Sequence, residues 1–426
     1  MVAELESSFK SFLNYLRGSR LLKFGLAFSL MSYLAVVILF VFYLIQGVAF
    51  DTIFTMDFQV FYESGIVFRN SPGYIYAVAP NQLPYRYLPS FAAVMAFFSL
   101  IPLVPLYLMN ISFMIVINFG IVFLVYAITQ QLGVTTSTKN FEKTLTILFI
   151  TPPHIINLVL GQITHLAIFL VLLSLFLLQI NNNGSVRRYF VIGILVGIAT
   201  VLKPFFLVIY SFVIPMTVTE GFSLNIPLRP VFGTVMGCLA TMLPNAFYFI
   251  VFPDTIYEFI DVNFTGGLPY QHSTSLTQLI VDILNLGDYT SIVLIIMLII
   301  GSYIFVRSYY RFVRTPAGEK NYVHHFTDVI FLFLMVYAES WFLFIAVLYA
   351  FLAPSVLQLY HTCEIHSRDT RRIDYLWSGS NNLLAFFAIG IVLDFLILGF
   401  DPINPIWIAI LYILYQREYC MNISSS

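Results

Sequence analysis

A single carboxylate, two cations and several tyrosines border long apolar segments in this chain. Asp57 stands in Met56-Asp57-Phe58-Gln59-Val60-Phe61-Tyr62-Glu63, directly after the first such segment; the chain continues through Tyr74-Ile75-Tyr76 and Tyr85-Arg86-Tyr87-Leu88-Pro89 before apolar sequence resumes. Lys203 interrupts an apolar run in Leu202-Lys203-Pro204, and Gln162 interrupts another in Leu160-Gly161-Gln162-Ile163. A carboxylate held where a helix leaves the bilayer can take a proton from a hydroxyl arriving from water. Arg86 offers a planar fork and Lys203 a point charge to phosphate oxygens. Together these suit glycosyl transfer from a lipid phosphate, which passes through an oxocarbenium-like state. The departing phosphate needs no general acid, so one base and nearby cations suffice.

Each residue also has a plainer reading. Asp57 could be a solvated loop acid and Arg86 an interfacial side chain reaching lipid head groups. Gln162 could serve only to pack helices. Lys203 is harder to explain away, because a cation at mid-bilayer costs about 2.5 to 3.5 kcal/mol on insertion scales. Tyr62, Tyr76, Tyr87 and Trp341 could stack on sugar faces, or belong to interfacial aromatic belts. His272, in the Gly-rich stretch 266–273, and Glu339, between two apolar runs, are further candidates for contacting substrate; a solvated loop histidine and a helix-capping acid are the alternatives.

The elements that must position these groups follow from composition. Of 426 residues, 60% are hydrophobic and 10% charged, against about 25% charged in an average soluble domain. A spanning helix needs about 20 mostly apolar residues, and the apolar runs predict an all-α, polytopic transmembrane helical bundle of about 12 to 13 helices. None of the strict alternation of a barrel strand occurs. The segment 88–104, bordered by prolines, is expected to be short of spanning. Cys238, Cys363 and Cys420 are too scattered for a disulfide framework or a metal site. There is no Gly-rich phosphate loop after a strand, no Cys/His metal signature and no basic pattern for nucleic acid. No metal ion or other cofactor is expected, since Arg86 or Lys203 could neutralise the phosphate.

Lys10, Arg17, Arg20 and Lys23 precede the first apolar segment, which reads as a retained helix with a cytoplasmic N-terminus. The Asp57 loop then faces outward. The expected division is a cytoplasmic segment 1–21, a first transmembrane helix 22–49, an external catalytic loop 50–88, a core transmembrane module 89–252, a second external loop 253–288 and C-terminal transmembrane helices 289–426. No nucleotide-sugar pool is expected outside the cytoplasm, so the donor would be a polyprenyl- or dolichyl-phosphate sugar. The acceptor would be a glycan or glycolipid. A multi-pass secondary transporter or lipid-glycan flippase, with Lys203, Glu339 and Gln162 along a midplane path, is the competing reading; the absence of an internal repeat tells against it.

In order, Asp57-Phe58-Gln59-Val60-Phe61-Tyr62, Tyr74-Ile75-Tyr76, Tyr87-Leu88-Pro89, Gly161-Gln162 and Leu202-Lys203-Pro204 resemble the glycosyltransferase 87 family, most strongly over residues 50–205. The resemblance implies a GT-C fold, with an N-terminal helical module holding the site and variable C-terminal helices. It also implies inverting transfer of a hexose, mannose first, from a polyprenyl-phosphate donor, with Asp57 as the base. The chain departs from the family pattern in three places. Leu88 replaces a proline, Thr164 and His165 stand where an asparagine is usual after Gly-Gln, and Ser340-Trp341 is followed by Phe342-Leu343-Phe344 without a histidine.

Overall fold

The computed structural model describes residues 2–49, 54–79, 83–136, 138–180, 184–218, 223–265, 273–337, 340–370, 390 and 403–425. The chain is helical, as its apolar runs require. The helices are α1 (Val2–Gly18), α2 (Arg20–Ile45), α3 (Met56–Asn70), α4 (Pro89–Phe98), α5 (Leu103–Gln131), α6 (Lys139–Ile150), α7 (Pro152–Leu160), α8 (Thr164–Gln179), α9 (Val186–Leu202), α10 (Tyr210–Val213), α11 (Leu228–Val251), α12 (Asp254–Ile260), α13 (Leu276–Ile283), α14 (Thr290–Arg314), α15 (Tyr322–Val336), α16 (Ile345–Thr370) and α17 (Ile403–Ser425). A short antiparallel pair, β1 (Thr217–Val218) and β2 (Leu224–Asn225), follows α10.

Among the described residues, five helical stretches are long and apolar enough to cross a membrane: Arg20–Ile45, Leu103–Gln131, Lys139–Leu160, Leu228–Val251 and Thr290–Arg314. Five shorter apolar helices accompany them. Large apolar side chains such as Leu34, Ile38, Phe232, Phe247, Ile295 and Ile299 are exposed on α2, α11 and α14, as befits helices solvated by acyl chains. The segment 88–104 contains α4, whose 10 residues rise about 15 Å, half of a hydrocarbon core. Residues 50–88, expected as a loop, contain the helix α3 and a 3-10 helix, Pro72–Ala77.

The chain forms two compact units, each discontinuous in sequence: Phe28–Ile121 with His154–Leu268, and Met1–Ala27 with Val122–Pro153 and Pro269–Ser426. In the first, α9 and α11 pack through paired small-residue motifs, Gly193-x-x-x-Gly197 and Gly233-x-x-x-Gly237. A Cβ on Gly193 would lie 2.6 Å from Thr234 O, and one on Gly233 2.5 Å from Val186 O. Such approach is how membrane helices gain van der Waals contact without a hydrophobic driving force. Gly65 of α3 does the same against Met95 of α4, where an added Cβ would meet the backbone at 2.5 Å.

In the second unit, α1 lays Phe9, Phe12 and Tyr15 against Phe123, Tyr126 and Phe141. The α15 helix is buried almost throughout, with α14, α16 and α17 against it.

Candidate active site

The first compact unit assembles Asp57, Arg86, Tyr87, Gln162 and Lys203 from four places in the chain. Asp57 lies in the first turn of α3, where the helix macrodipole favours an acid. The entry residue, Thr55, adopts the left-handed region, with φ 62° and ψ 3°. For a β-branched residue this costs on the order of 1 to 3 kcal/mol and persists only where neighbours enforce it. They do: Thr55 is fully buried, its N–H donates to Val159 O at 3.0 Å, and its carbonyl accepts from Gln59 N at 2.8 Å. Gln59 Nε2 also donates to Thr55 Oγ1 at 3.0 Å.

Val159 belongs to α7, which ends in a Schellman turn. Gln162 N–H donates to Asn157 O at 2.8 Å and Gly161 N–H to Leu158 O at 3.0 Å, with Gly161 at φ +73°. Glycine is needed there twice over, because a Cβ would also fall 2.5 Å from Phe58 Cβ. The close approach sets Gln162 beside the start of α3. Tyr107 holds the same turn from α5, its hydroxyl meeting Leu158 O at 3.1 Å and Val159 O at 2.7 Å.

Gln162 then bridges opposite charges. Its Oε1 accepts from Lys203 Nζ at 3.2 Å, from Tyr87 OH at 3.2 Å and from Thr164 Oγ1 at 3.4 Å. Its side chain also hydrogen-bonds Asp57, and with the oxygen committed to three donors, the amide N–H is the group left to donate to the carboxylate. Lys203 Nζ donates to Tyr87 OH at 3.0 Å and stands 4.9 Å from the centre of its ring. Lys203, Gln162 and Tyr87 are 5%, 7% and 7% exposed, so they interact with little screening by water. Lys203 reaches this place because α9 ends there, its N–H donating to Ala199 O at 2.7 Å before Pro204 breaks the helix.

The Tyr85–Leu88 strand of chain is fixed by backbone and phenol contacts. Leu88 N–H donates to Val201 O at 3.4 Å, Tyr76 OH to Tyr87 O at 3.0 Å and Tyr85 OH to Leu88 O at 3.0 Å. Burial raises the Asp57 carboxyl above the ordinary carboxylate range, and the Gln162 hydrogen bond and the charges of Lys203 and Arg86 offset this only in part. Burial and the Asp57 charge raise the Tyr87 phenol, keeping it a donor.

The other residues singled out from sequence are placed differently. Tyr76 is buried, its ring against Tyr85, Phe249 and Phe259, so it supports Tyr87 from behind. Tyr62 is half-buried on α3. Trp341 belongs to the other compact unit, where it bridges to Ser273. His272 and Glu339 lie outside the described residues.

Sequence reasoning missed Thr55, Tyr107 and a buried pair, His154 and His165, joined from Nδ1 to Nε2 across the Gly161-Gln162 turn. Only the pair carried a signal, two histidines in otherwise apolar sequence.

These residues can be compared with known families. The profile of Glycosyltransferase family 87 matches residues 85–335, more than half of the 426-residue chain. The match takes in Arg86, Tyr87, Gln162 and Lys203 and continues well past residue 205, while Asp57, Tyr62 and Tyr76 precede it. A comparison with curated proteins finds no match. With its apolar spanning helices and this match over most of its length, the chain belongs to glycosyltransferase family 87 and is a multi-pass membrane glycosyltransferase.

Proposed function

We propose that the protein transfers a hexose, mannose first, from a polyprenyl- or dolichyl-phosphate donor to a glycan or glycolipid acceptor on the non-cytoplasmic face, with inversion at the anomeric carbon. The observation that carries this reading is the ordered row Asp57, Gln162, Lys203, which sets a carboxylate and an ammonium on opposite ends of one amide. An acceptor hydroxyl gives its proton to the Asp57 carboxylate as its oxygen bonds to the anomeric carbon. The bond from that carbon to the phosphate oxygen breaks, and lipid phosphate leaves with the electron pair. Lys203 and Arg86 stabilise the charge that grows on the leaving oxygen, with Tyr87 OH as a neutral donor beside them. A substrate contact from Tyr62, half-buried on α3 of the same unit, belongs to the same proposal.

The test is transfer of radiolabelled mannose from polyprenyl-phosphate-mannose into membrane extracts by the wild-type protein and by Asp57→Asn. Incorporation by wild type and its loss in the variant are expected. Equal incorporation by both would overturn the role of Asp57, and incorporation from another polyprenyl-phosphate sugar alone would overturn mannose.

A further inference from the structure

The second compact unit holds a buried polar cluster that the transfer reaction does not use. His324 and Asp328 lie one turn apart on α15 with His325 beside them, and each offers a donor atom within 4.8 Å of the others'. All three are buried, His324 being 1% exposed. His324 Nε2 stands 3.4 Å from Asp328 Oδ2 yet makes no hydrogen bond. An orphaned nitrogen in an apolar helix bundle asks for a partner.

The surroundings set the tautomers of these groups. His324 Nδ1 meets Tyr415 OH at 2.6 Å, leaving Nε2 to face Asp328. Ser308 Oγ donates to Asp328 Oδ2 at 2.6 Å. Having one proton, the hydroxyl must accept from His325 Nδ1, 3.0 Å away. That fixes His325 with its lone pair on Nε2. Gln416 Nε2 donates to Asp328 Oδ1. Outer hydrogen bonds of this kind to the second ring nitrogen and to the carboxylate accompany metal-bound histidine and aspartate. The 3.4 Å between His324 Nε2 and Asp328 Oδ2 equals the edge of a tetrahedron with bonds of about 2.1 Å.

Two cations stand near the cluster, and Arg311 acts by its charge on Asp328. Arg311 donates to Gln416 Oε1 at 3.4 Å, and Lys320 donates to Phe312 O and, at 2.9 Å, to Thr315 O. Two imidazoles and one carboxylate favour a borderline transition metal over calcium or magnesium.

We propose that His324, His325 and Asp328 bind one zinc-class divalent ion, with water at the fourth position. The ion clamps α15 to α14 through Ser308 and to α17 through Tyr415 and Gln416.

The full chain, purified in detergent, is stripped with chelator, given one equivalent of zinc, desalted and assayed for metal by mass spectrometry. About one zinc per chain is expected in wild type and in Asp57→Asn, and at least a tenfold loss in His324→Asn and Asp328→Asn. Zinc should raise the wild-type unfolding midpoint, a readout that stands even if the variants fail to fold. A stripped wild type that neither retains zinc nor is stabilised by it overturns the proposal, as do folded variants that bind zinc like wild type.

Discussion

The carboxamide oxygen of Gln162 lies 3.2 Å from the ammonium of Lys203, and that contact fixes which way the whole site is polarised. With Oε1 facing Lys203 and Tyr87, the amide N–H faces Asp57. Turning the amide over would set its hydrogens against an ammonium. Gln162 therefore bridges a carboxylate and a cation, the one suited to a hydroxyl's proton and the other to a phosphate.

If Asp57 is the base, its amide analogue keeps shape and loses proton affinity. Asp57→Asn should reduce turnover by about 10²-fold to 10⁴-fold, the range of a lost general base, with little change in expression or in donor binding. Initial rates and equilibrium binding of a polyprenyl-phosphate sugar check the two halves separately.

Lys203 should affect the donor more than the acceptor. In Lys203→Met the stem is kept and the charge removed, so Tyr87 OH loses the ammonium it accepts from and Gln162 Oε1 keeps only Tyr87 and Thr164 as donors, at a cost of about 1 to 3 kcal/mol. Donor KM should rise by about tenfold or more, the equivalent of 1.4 kcal/mol, while the acceptor KM stays near wild type. A variant saturating at wild-type donor concentrations would remove Lys203 from the phosphate role.

The groups that meet at this site were legible as polar residues set in apolar sequence, since the bilayer makes each expensive. Asp57, Arg86, Gln162 and Lys203 stood out for that reason, as did the helical class. Their supports did not. Tyr107 reads as one more aromatic in a spanning helix, and its role depends on a turn some fifty residues away. Thr55 gives no warning that it adopts a conformation β-branched residues avoid. The Gly193-x-x-x-Gly197 and Gly233-x-x-x-Gly237 motifs went unremarked in the sequence, and their pairing arises only in three dimensions. Residues 50–88 passed for a loop because α3 mixes Asp57, Glu63 and Arg69 with buried aromatics, a pattern weaker than a spanning run.

Gly161 offers a test of position without touching charge. Gly161→Ala must hold a Cβ at φ +73° and within 2.5 Å of Phe58 Cβ, so either the α7 turn or the start of α3 must shift. Loss of stability by about 1 to 3 kcal/mol is expected from strain and overpacking. Displacement of Gln162 should lower turnover beyond what partial unfolding explains. Activity per folded molecule, with the folded fraction taken from thermal scans, separates the two.

The raised Asp57 carboxyl fixes the sign of two pH effects. Transfer requires the carboxylate, so kcat/KM should climb with pH through a midpoint above the ordinary carboxylate range. Gln162 is among the groups that hold the pKa down, so Gln162→Leu should move that limb to higher pH. For stability, a carboxyl whose folded pKa exceeds its unfolded one favours folding fully at acid pH, and that contribution is lost as pH rises through the folded value. Ionised Asp57 therefore burdens the folded chain at neutral pH, as a catalytic group held against burial often does. Asp57→Asn should raise the unfolding midpoint at neutral pH, and the gain should shrink toward zero as both states of the wild type protonate below the ordinary carboxylate range. Unfolding midpoints of both proteins across that interval give the answer, and a gain that instead grew toward acid pH would show that the folded state lowers this carboxyl.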